Sequence, residues 1–259
     1  MSEPAPRGAA LITGAPRRIG RALALAAADA GYDVAVHARE LDADSRSLVE
    51  AIEAKGRRAA AFAGDLGDPA CPANLVASAS AALGPLTLLV NNASLFDDDR
   101  LDTLTADSFD AHLHANLRAP ILLAQALAAQ VSAIQTPNGA NALIVNILDQ
   151  RVWKPTPQFF SYAISKAALW EATRMMAQAL APAIRVNGIG PGPTLPSIHQ
   201  TPGDFAAEAA GGLLQRRAFP EEIAHALAYL IDARSVTGQM IAVDGGQHLA
   251  WRTPDITAP

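Results

Sequence analysis

A single cysteine, Cys71, stands in the 259-residue chain. It excludes an internal disulfide framework and offers no thiolate cluster to a metal. No apolar run reaches the ~18–20 residues that a membrane span requires. The first eight residues carry no apolar leader segment, so a soluble cytoplasmic protein is expected. Positive charge is not in excess either. The formal net charge is −5 and the pI near 5.6, which speaks against nucleic acid as a partner. Hydrophobic residues make up 50% and charged residues 17%, a globular rather than a disordered balance. At this length folding buries roughly 70% of the unfolded surface, so the core needs no staples. Linkers, fixed-period repeats and low-complexity blocks are missing, and one domain over residues 1–259 is expected.

What is present is a regular alternation. Apolar runs at 9–13, 34–38, 58–64, 86–90, 142–148, 184–189 and 240–243 read as strands. Helical patterns fill 19–30, 43–55, 74–83, 106–130, 159–180 and 221–231, with a bend expected at Pro120. Gly31, Gly56 and Gly84-Pro85 close the first three helices. Strands alternating with helices build βαβ units, and continuously apolar strands are covered on both faces. The expected fold is therefore α/β: a doubly wound Rossmann-type architecture with a seven-stranded parallel sheet. The stretch 191–219 is irregular, rich in Gly, Pro and polar residues. A loop of that length points to function, and 194–219 is expected to shape a substrate site.

The first βα turn reads Thr13-Gly14-Ala15-Pro16-Arg17-Arg18-Ile19-Gly20. Gly14 permits a tight turn and Gly20 close helix–strand packing. Backbone N–H groups at the helix start attract a pyrophosphate. Arg17 and Arg18 oppose the helix dipole unless an anion is bound there. The second strand ends in His37-Ala38-Arg39, without the carboxylate that would hold the ribose 2′-hydroxyl of NAD. Arg39 and Arg18 instead suit a 2′-phosphate, which favours NADPH, although Glu40 adjoins the same position. Tyr162 and Lys166 are spaced i, i+4 and share a helix face. A neighbouring ammonium lowers a phenol's pKa, so Tyr162 is expected to serve as a general acid.

These pieces together resemble the short-chain dehydrogenase/reductase family over nearly the whole chain. The resemblance rests on the Thr13–Gly20 turn, Gly64-Asp65-Leu66, Asn91-Asn92-Ala93, Asn116-Leu117, Tyr162-Ala-Ile-Ser-Lys166, Arg185-Val-Asn187, Pro191-Gly192 and Asp244-Gly-Gly246. It implies a cofactor site made by Gly14, Arg17, Arg18, Ile19, Gly20, His37, Arg39, Asp65, Leu66, Asn92, Ala93, Ser94, Tyr162, Lys166, Pro191, Gly192 and Thr194. Within it, Asp65 meets the adenine and Pro191-Gly192 borders the nicotinamide. Lys166 also holds the nicotinamide ribose, and Asn116 helps to organise a proton-relay water.

Two departures are informative. Most members of the family have glycine where this chain has Arg18, and serine where it has Asp149, thirteen residues before Tyr162. With Asn92-Ala93-Ser94-Leu95-Phe96, they resemble the pteridine-reductase and dihydromonapterin-reductase branch. That resemblance implies a substrate site of Arg18, Ser94, Phe96, Asp149 and Tyr162, with Phe96 stacking a pterin against the nicotinamide. It implies a catalytic set of Asp149, Tyr162, Lys166 and Asn116, reducing dihydropterin to tetrahydropterin with NADPH. An imine-like C=N bond takes hydride at carbon and a proton at nitrogen, and a carboxyl group suits that nitrogen. The alternatives are a ketone or 3-oxoacyl reductase and a non-catalytic NADP(H) sensor.

Other polar groups read as ordinary. Asp97-Asp98-Asp99-Arg100 reads as a solvated loop. His112 and His114 fall on different helix faces, poor metal geometry. Arg151 and Trp153 suit either a pocket wall or plain packing. His248 and Trp251 lie in a tail that in this family often meets a neighbouring subunit, and a homotetramer is expected.

Overall fold

The computed structural model describes residues 7–133, 142–197 and 200–251. Seven strands run in parallel in one sheet: β1 (Ala9–Ile12), β2 (Asp33–Ala38), β3 (Ala59–Ala63), β4 (Leu86–Asn91), β5 (Ala142–Ile147), β6 (Ile184–Pro191) and β7 (Met240–Val243). Their spatial order is β3-β2-β1-β4-β5-β6-β7. This is the expected doubly wound fold. The order reverses between β1 and β4, and such a reversal opens a crevice at the carboxyl ends of the strands.

Alternate strand residues feed two cores. Ala10, Ile12, Val34, Val36, Leu88 and Val90 face α1 (Arg18–Asp29), α2 (Ala43–Glu53) and α8 (Pro220–Asp232). Ala9, Leu11, Ala35, Leu86, Leu89 and Ile144 face α3 (Cys71–Leu83), α5 (Ala119–Ala133) and α6 (Phe160–Leu180). Both faces of the sheet are dry, which is why the strands carry no polar alternation. Among the described residues no helix is long and apolar enough to cross a membrane.

Two expectations fail, each for a local reason. The 106–130 stretch is not one helix bent at Pro120. It is α4 (Ala106–Leu113), a π-helical turn (His114–Arg118) and then α5. The Ala119 N–H donates to the His114 carbonyl five residues back, so the widening is complete before the proline. Within the irregular 191–219 stretch, α7 (Pro202–Ala210) forms. Thr201 and Asp204 build a reciprocal capping box at its start, with Pro202 in the first turn. The remaining elements lie within three residues of their expected ends, α3 starting earliest because Pro72 occupies its first turn.

Candidate active site

The turn between β1 and α1 is held from below. Gly14 has φ +61°, and a Cβ on Gly20 would overlap the Gly14 carbonyl oxygen, so both positions require glycine. The Thr13 hydroxyl accepts from the N–H groups of Asn92 (2.9 Å) and Ala93 (3.0 Å). Asn92 returns its side-chain amide to the carbonyls of Thr13 and Gly14 at 2.9 and 3.0 Å. Helix α1 has no side-chain cap and no acidic residue in its first turn. Its leading N–H groups thus lack a protein carboxylate, and the turn fits a pyrophosphate.

The flanking cations are placed differently from the expectation. His37 is buried, accepts from Gly14 N–H through Nδ1 (3.4 Å) and donates from Nε2 to Gly64 O (3.0 Å). Burial holds it below the usual imidazole range, so it is a neutral strut under the turn rather than a donor facing a phosphate. Arg17 pairs with Asp42 and Asp44 at the start of α2. Those carboxylates supply the anion that the sequence reading left to a ligand. Arg18 sits at φ +54°, a conformation that favours glycine. Its guanidinium donates to the carbonyls of Pro196 (2.9 Å) and Leu195 (3.1 Å), clasping the loop above the cavity. Arg39 is exposed just beyond β2. Asp65 is exposed and accepts from Gly67 N–H at 2.8 Å, while Leu66 is buried beneath it.

A cavity of about 720 Å³ opens at the carboxyl ends of the central strands. Arg18, Ile19, Asn92, Ser94, Phe96, Asp149, Tyr162, Lys166, Pro191, Gly192 and Thr194 all line it. The sequence-predicted catalytic and substrate residues thus converge on one space, with Asn116 directly behind its wall. The Tyr162 hydroxyl donates to Asp149 Oδ2 at 2.9 Å. Asp149 Oδ1 accepts from Arg151 N–H at 2.8 Å and caps a short 3-10 turn, Gln150–Val152. Lys166 is buried and donates to Ile147 O at 2.8 Å, its ammonium 5.7 Å from the centre of the Tyr162 ring.

The electrostatics invert the expectation for Tyr162. Burial, then the charge of Asp149 and the hydrogen bond to it, push the phenol well above its usual value. Lys166 does not reverse this, because burial lowers its own pKa to about 8. The proton therefore stays on Tyr162, directed at Asp149.

Phe96 stacks on Phe159 (centroids 4.3 Å apart) and meets Tyr162 edge-on (4.6 Å). Asn116 lies in the π-helical turn and is fully buried. Its amide oxygen accepts from Leu95 N–H (2.8 Å) and the Ser94 hydroxyl (3.2 Å). Its amide nitrogen donates to Leu95 O (2.9 Å) and Ser165 Oγ (3.1 Å). It pins the segment carrying Phe96 to the helix carrying Tyr162. On the far wall Gly192 packs so tightly that an added Cβ would lie 2.7 Å from Asp244 Cα, and Thr194 donates to Gly192 O at 3.0 Å.

A family profile described as enoyl-(acyl carrier protein) reductase matches residues 14–248. The chain belongs to the short-chain dehydrogenase/reductase family. It is 44% identical to FolM alternative dihydrofolate reductase 1 of Brucella canis, complexed with NADP. The match covers 99% of this chain and 100% of that one, with a TM-score of 0.90. A short-chain dehydrogenase of Burkholderia cenocepacia in complex with NADP is 34% identical, over 93% of this chain and 97% of that one, with a TM-score of 0.85. The uncharacterized oxidoreductase MT0954 of Mycobacterium tuberculosis is 34% identical over 96% of this chain and 95% of its own length.

This short-chain dehydrogenase/reductase also uses residues that sequence reasoning set aside. Asp97 and Asp98 are exposed, but Asp99 is buried, contrary to the solvated-loop expectation. Its carboxylate accepts from Ser161 N–H (3.0 Å), the Ser161 hydroxyl and the Ser108 hydroxyl (3.1 Å). Its carbonyl accepts from Phe160 N–H at 3.1 Å. Asp99 thus caps α6, whose own cap residue Phe159 has no polar side chain. Buried His112 accepts from Asp97 N–H (3.2 Å) and donates to Ser108 O (2.9 Å). It is a strut, and no group suited to hold a metal occurs among the described residues. Trp153 lies outside the cavity wall against His248, with ring centroids 5.0 Å apart, whereas Arg151 lies on the wall.

Proposed function

We propose that this protein is an NADPH-dependent reductase that converts a dihydropterin to the tetrahydropterin. The observation that carries the reading is the Tyr162–Asp149 hydrogen bond at 2.9 Å beside the Phe96 ring. A carbonyl reductase needs only neutral hydroxyl donors around one oxygen. A carboxyl group joined to the phenol suits a ring nitrogen with its adjoining amino and N–H groups. Similarity to FolM alternative dihydrofolate reductase 1, complexed with NADP, supports both the cofactor and a substrate carrying a pterin ring.

The α1 turn with Gly14 and Gly20 would hold the pyrophosphate, Arg39 the 2′-phosphate, and Asp65 and Leu66 the adenine. Asn92, Lys166, Pro191, Gly192 and Thr194 would border the nicotinamide end. When bound, NADPH supplies the hydride for the ring carbon. The protein's task is the proton at the adjacent nitrogen. With Asp149 ionised, losing that proton from Tyr162 would leave a phenolate and a carboxylate in contact in a buried site, the state that the raised phenol pKa disfavours. With one more proton on the pair, Asp149 donates to the Tyr162 oxygen while Tyr162 donates to the ring nitrogen. One proton leaves, one negative charge remains on Asp149, and the phenol is restored. The two groups therefore act as one proton-delivering unit. Phe96 offers the pterin a flat face, worth about 0.5–1.5 kcal/mol beyond burial.

The test is NADPH oxidation with dihydrobiopterin, dihydromonapterin and dihydrofolate, set against acetoacetyl thioesters. Turnover confined to the thioesters sinks the proposal. The chain is further proposed to act in the cytoplasm, as one catalytic domain assembled into a homotetramer. A monomer in sedimentation at micromolar concentration would remove the assembly.

A further inference from the structure

Arg151 is more than a wall residue. Its guanidinium lies 3.4 Å from Asp149 Oδ2, the oxygen that accepts from Tyr162. On its other side it lies 3.8 Å from Glu208 Oε1 on α7. Its flat face lies 5.9 Å from the centre of the Phe96 ring and 5.4 Å from that of Phe159. The side chain is only 16% exposed, and its Nε–H is buried without an acceptor. An unsatisfied buried donor costs stability, so packing alone does not account for an arginine here.

The neighbouring charges leave Arg151 as the cation in direct contact with Asp149. Lys166 on α6 spends its hydrogen bond on Ile147 O. Arg18 on α1 is turned to the carbonyls of Leu195 and Pro196. Asp98 and Arg100 on the loop after β4, and Asp204 on α7, line the same cavity with charges that partly offset one another. Lys154 is turned to Ala250 O, and His248 to Asp244.

We infer that Arg151 is a positioning residue of the proton-delivery pair: it neutralises the carboxylate left on Asp149 when a proton departs, and Glu208 on α7 competes for it. The inference rests on the proposed proton delivery by Tyr162 and Asp149. It gives α7 a part in the chemistry, because Glu208 divides the guanidinium between the helix and the acid. Of the charges around Tyr162, that of Arg151 favours loss of the phenol proton, while that of Asp149 opposes it.

The experiment is the pH profile of kcat for dihydropterin-dependent NADPH oxidation in Arg151→Met, Arg151→Lys and Glu208→Gln, with Tyr162→Phe alongside. Arg151→Met keeps the apolar stem against Phe96 but removes the charge. The pH at which kcat falls by half should rise by about one unit, and the acid-side plateau should drop about tenfold. Arg151→Lys should restore part of both. Glu208→Gln leaves the guanidinium wholly to Asp149 and should move the midpoint the opposite way, to lower pH. A purely structural role would change melting temperature and kcat without moving midpoints in opposite directions. Unmoved midpoints in both Arg151→Met and Glu208→Gln, with Tyr162→Phe inactive, overturn the inference alone. Full turnover by Tyr162→Phe overturns the proton-delivery reading beneath it. If Arg151→Met does not fold, the direction of the Glu208→Gln shift decides.

Discussion

Replacing Asp149 with asparagine probes the pair while keeping its shape. Asparagine keeps one oxygen to accept from Arg151 N–H (2.8 Å), while its Nδ2 amide takes the place of the oxygen that accepts from Tyr162. It cannot carry the second proton. Two consequences oppose each other. The charge that raises the phenol is gone, which makes Tyr162 the more acidic. The proton that would refill the phenol is gone as well, so each turnover must leave a phenolate in a buried site. Burial is the largest of the causes raising Tyr162 and is untouched by the substitution, so the loss dominates. Positioned general acids contribute about 10²–10⁴-fold, and kcat should fall within that range. The profile should also change shape. On the proposed mechanism the active form holds the extra proton, so native kcat should fall as pH rises. In Asp149→Asn that descent should disappear. Stopped-flow or steady-state absorbance of NADPH under saturating dihydropterin reads both quantities. Native-like kcat with the descent intact would refute the paired-acid reasoning.

Other outcomes follow from the same geometry. Gly20→Ala forces a Cβ onto the Gly14 carbonyl and should abolish tight NADPH binding in calorimetry, with a melting temperature lowered by several degrees. Arg39→Ala removes an exposed cation at the end of β2 and should raise KM for NADPH at least about tenfold while leaving KM for NADH unchanged; equal effects would discard the 2′-phosphate assignment. Asp99→Ala removes the cap of α6 and takes an acceptor from the buried Ser161 hydroxyl and the half-buried Ser108 hydroxyl. It should destabilise the fold by about 1–3 kcal/mol in chemical denaturation, where a solvated-loop aspartate would cost almost nothing.

The fold was legible because its signals are local and redundant. Strands buried on both faces must be apolar throughout, and glycines at 31, 56 and 84 ended helices where the chain turned. The π-helical turn was not legible. Pro120 marks a missing donor nearby, but the widening falls where Asn116 reaches Leu95 and Ser165, contacts made across the fold. Helix α7 left one readable sign, Thr201 and Asp204 around Pro202. It has no buried residue, so no apolar stripe set it apart from the Gly- and Pro-rich sequence around it.

The site divides the same way. Tyr162 and Lys166 follow from helical spacing, and Asp149 from its distance along the chain. The direction of the Tyr162 shift depends on burial and on which oxygen accepts its proton, neither of which spacing encodes. Arg17 looked like an anion ligand because its partners, Asp42 and Asp44, stand on the next helix. Asp99 sat unremarked in a run of charges, although its neighbours Asp97, Asp98 and Arg100 are the solvated ones. Glu208 offered no sequence signal, since only folding brings α7 to Arg151.

The central claim is that the carboxyl beside the phenol serves a nitrogen heterocycle. Asp149→Ser puts a neutral hydroxyl in place of the carboxyl, and the measurement is kcat/KM of native and variant protein for a dihydropterin and for an acetoacetyl thioester. The account predicts that dihydropterin reduction falls by about 10²-fold or more while carbonyl reduction is spared or improved. An equal loss on both substrates, or none on the dihydropterin, would contradict it.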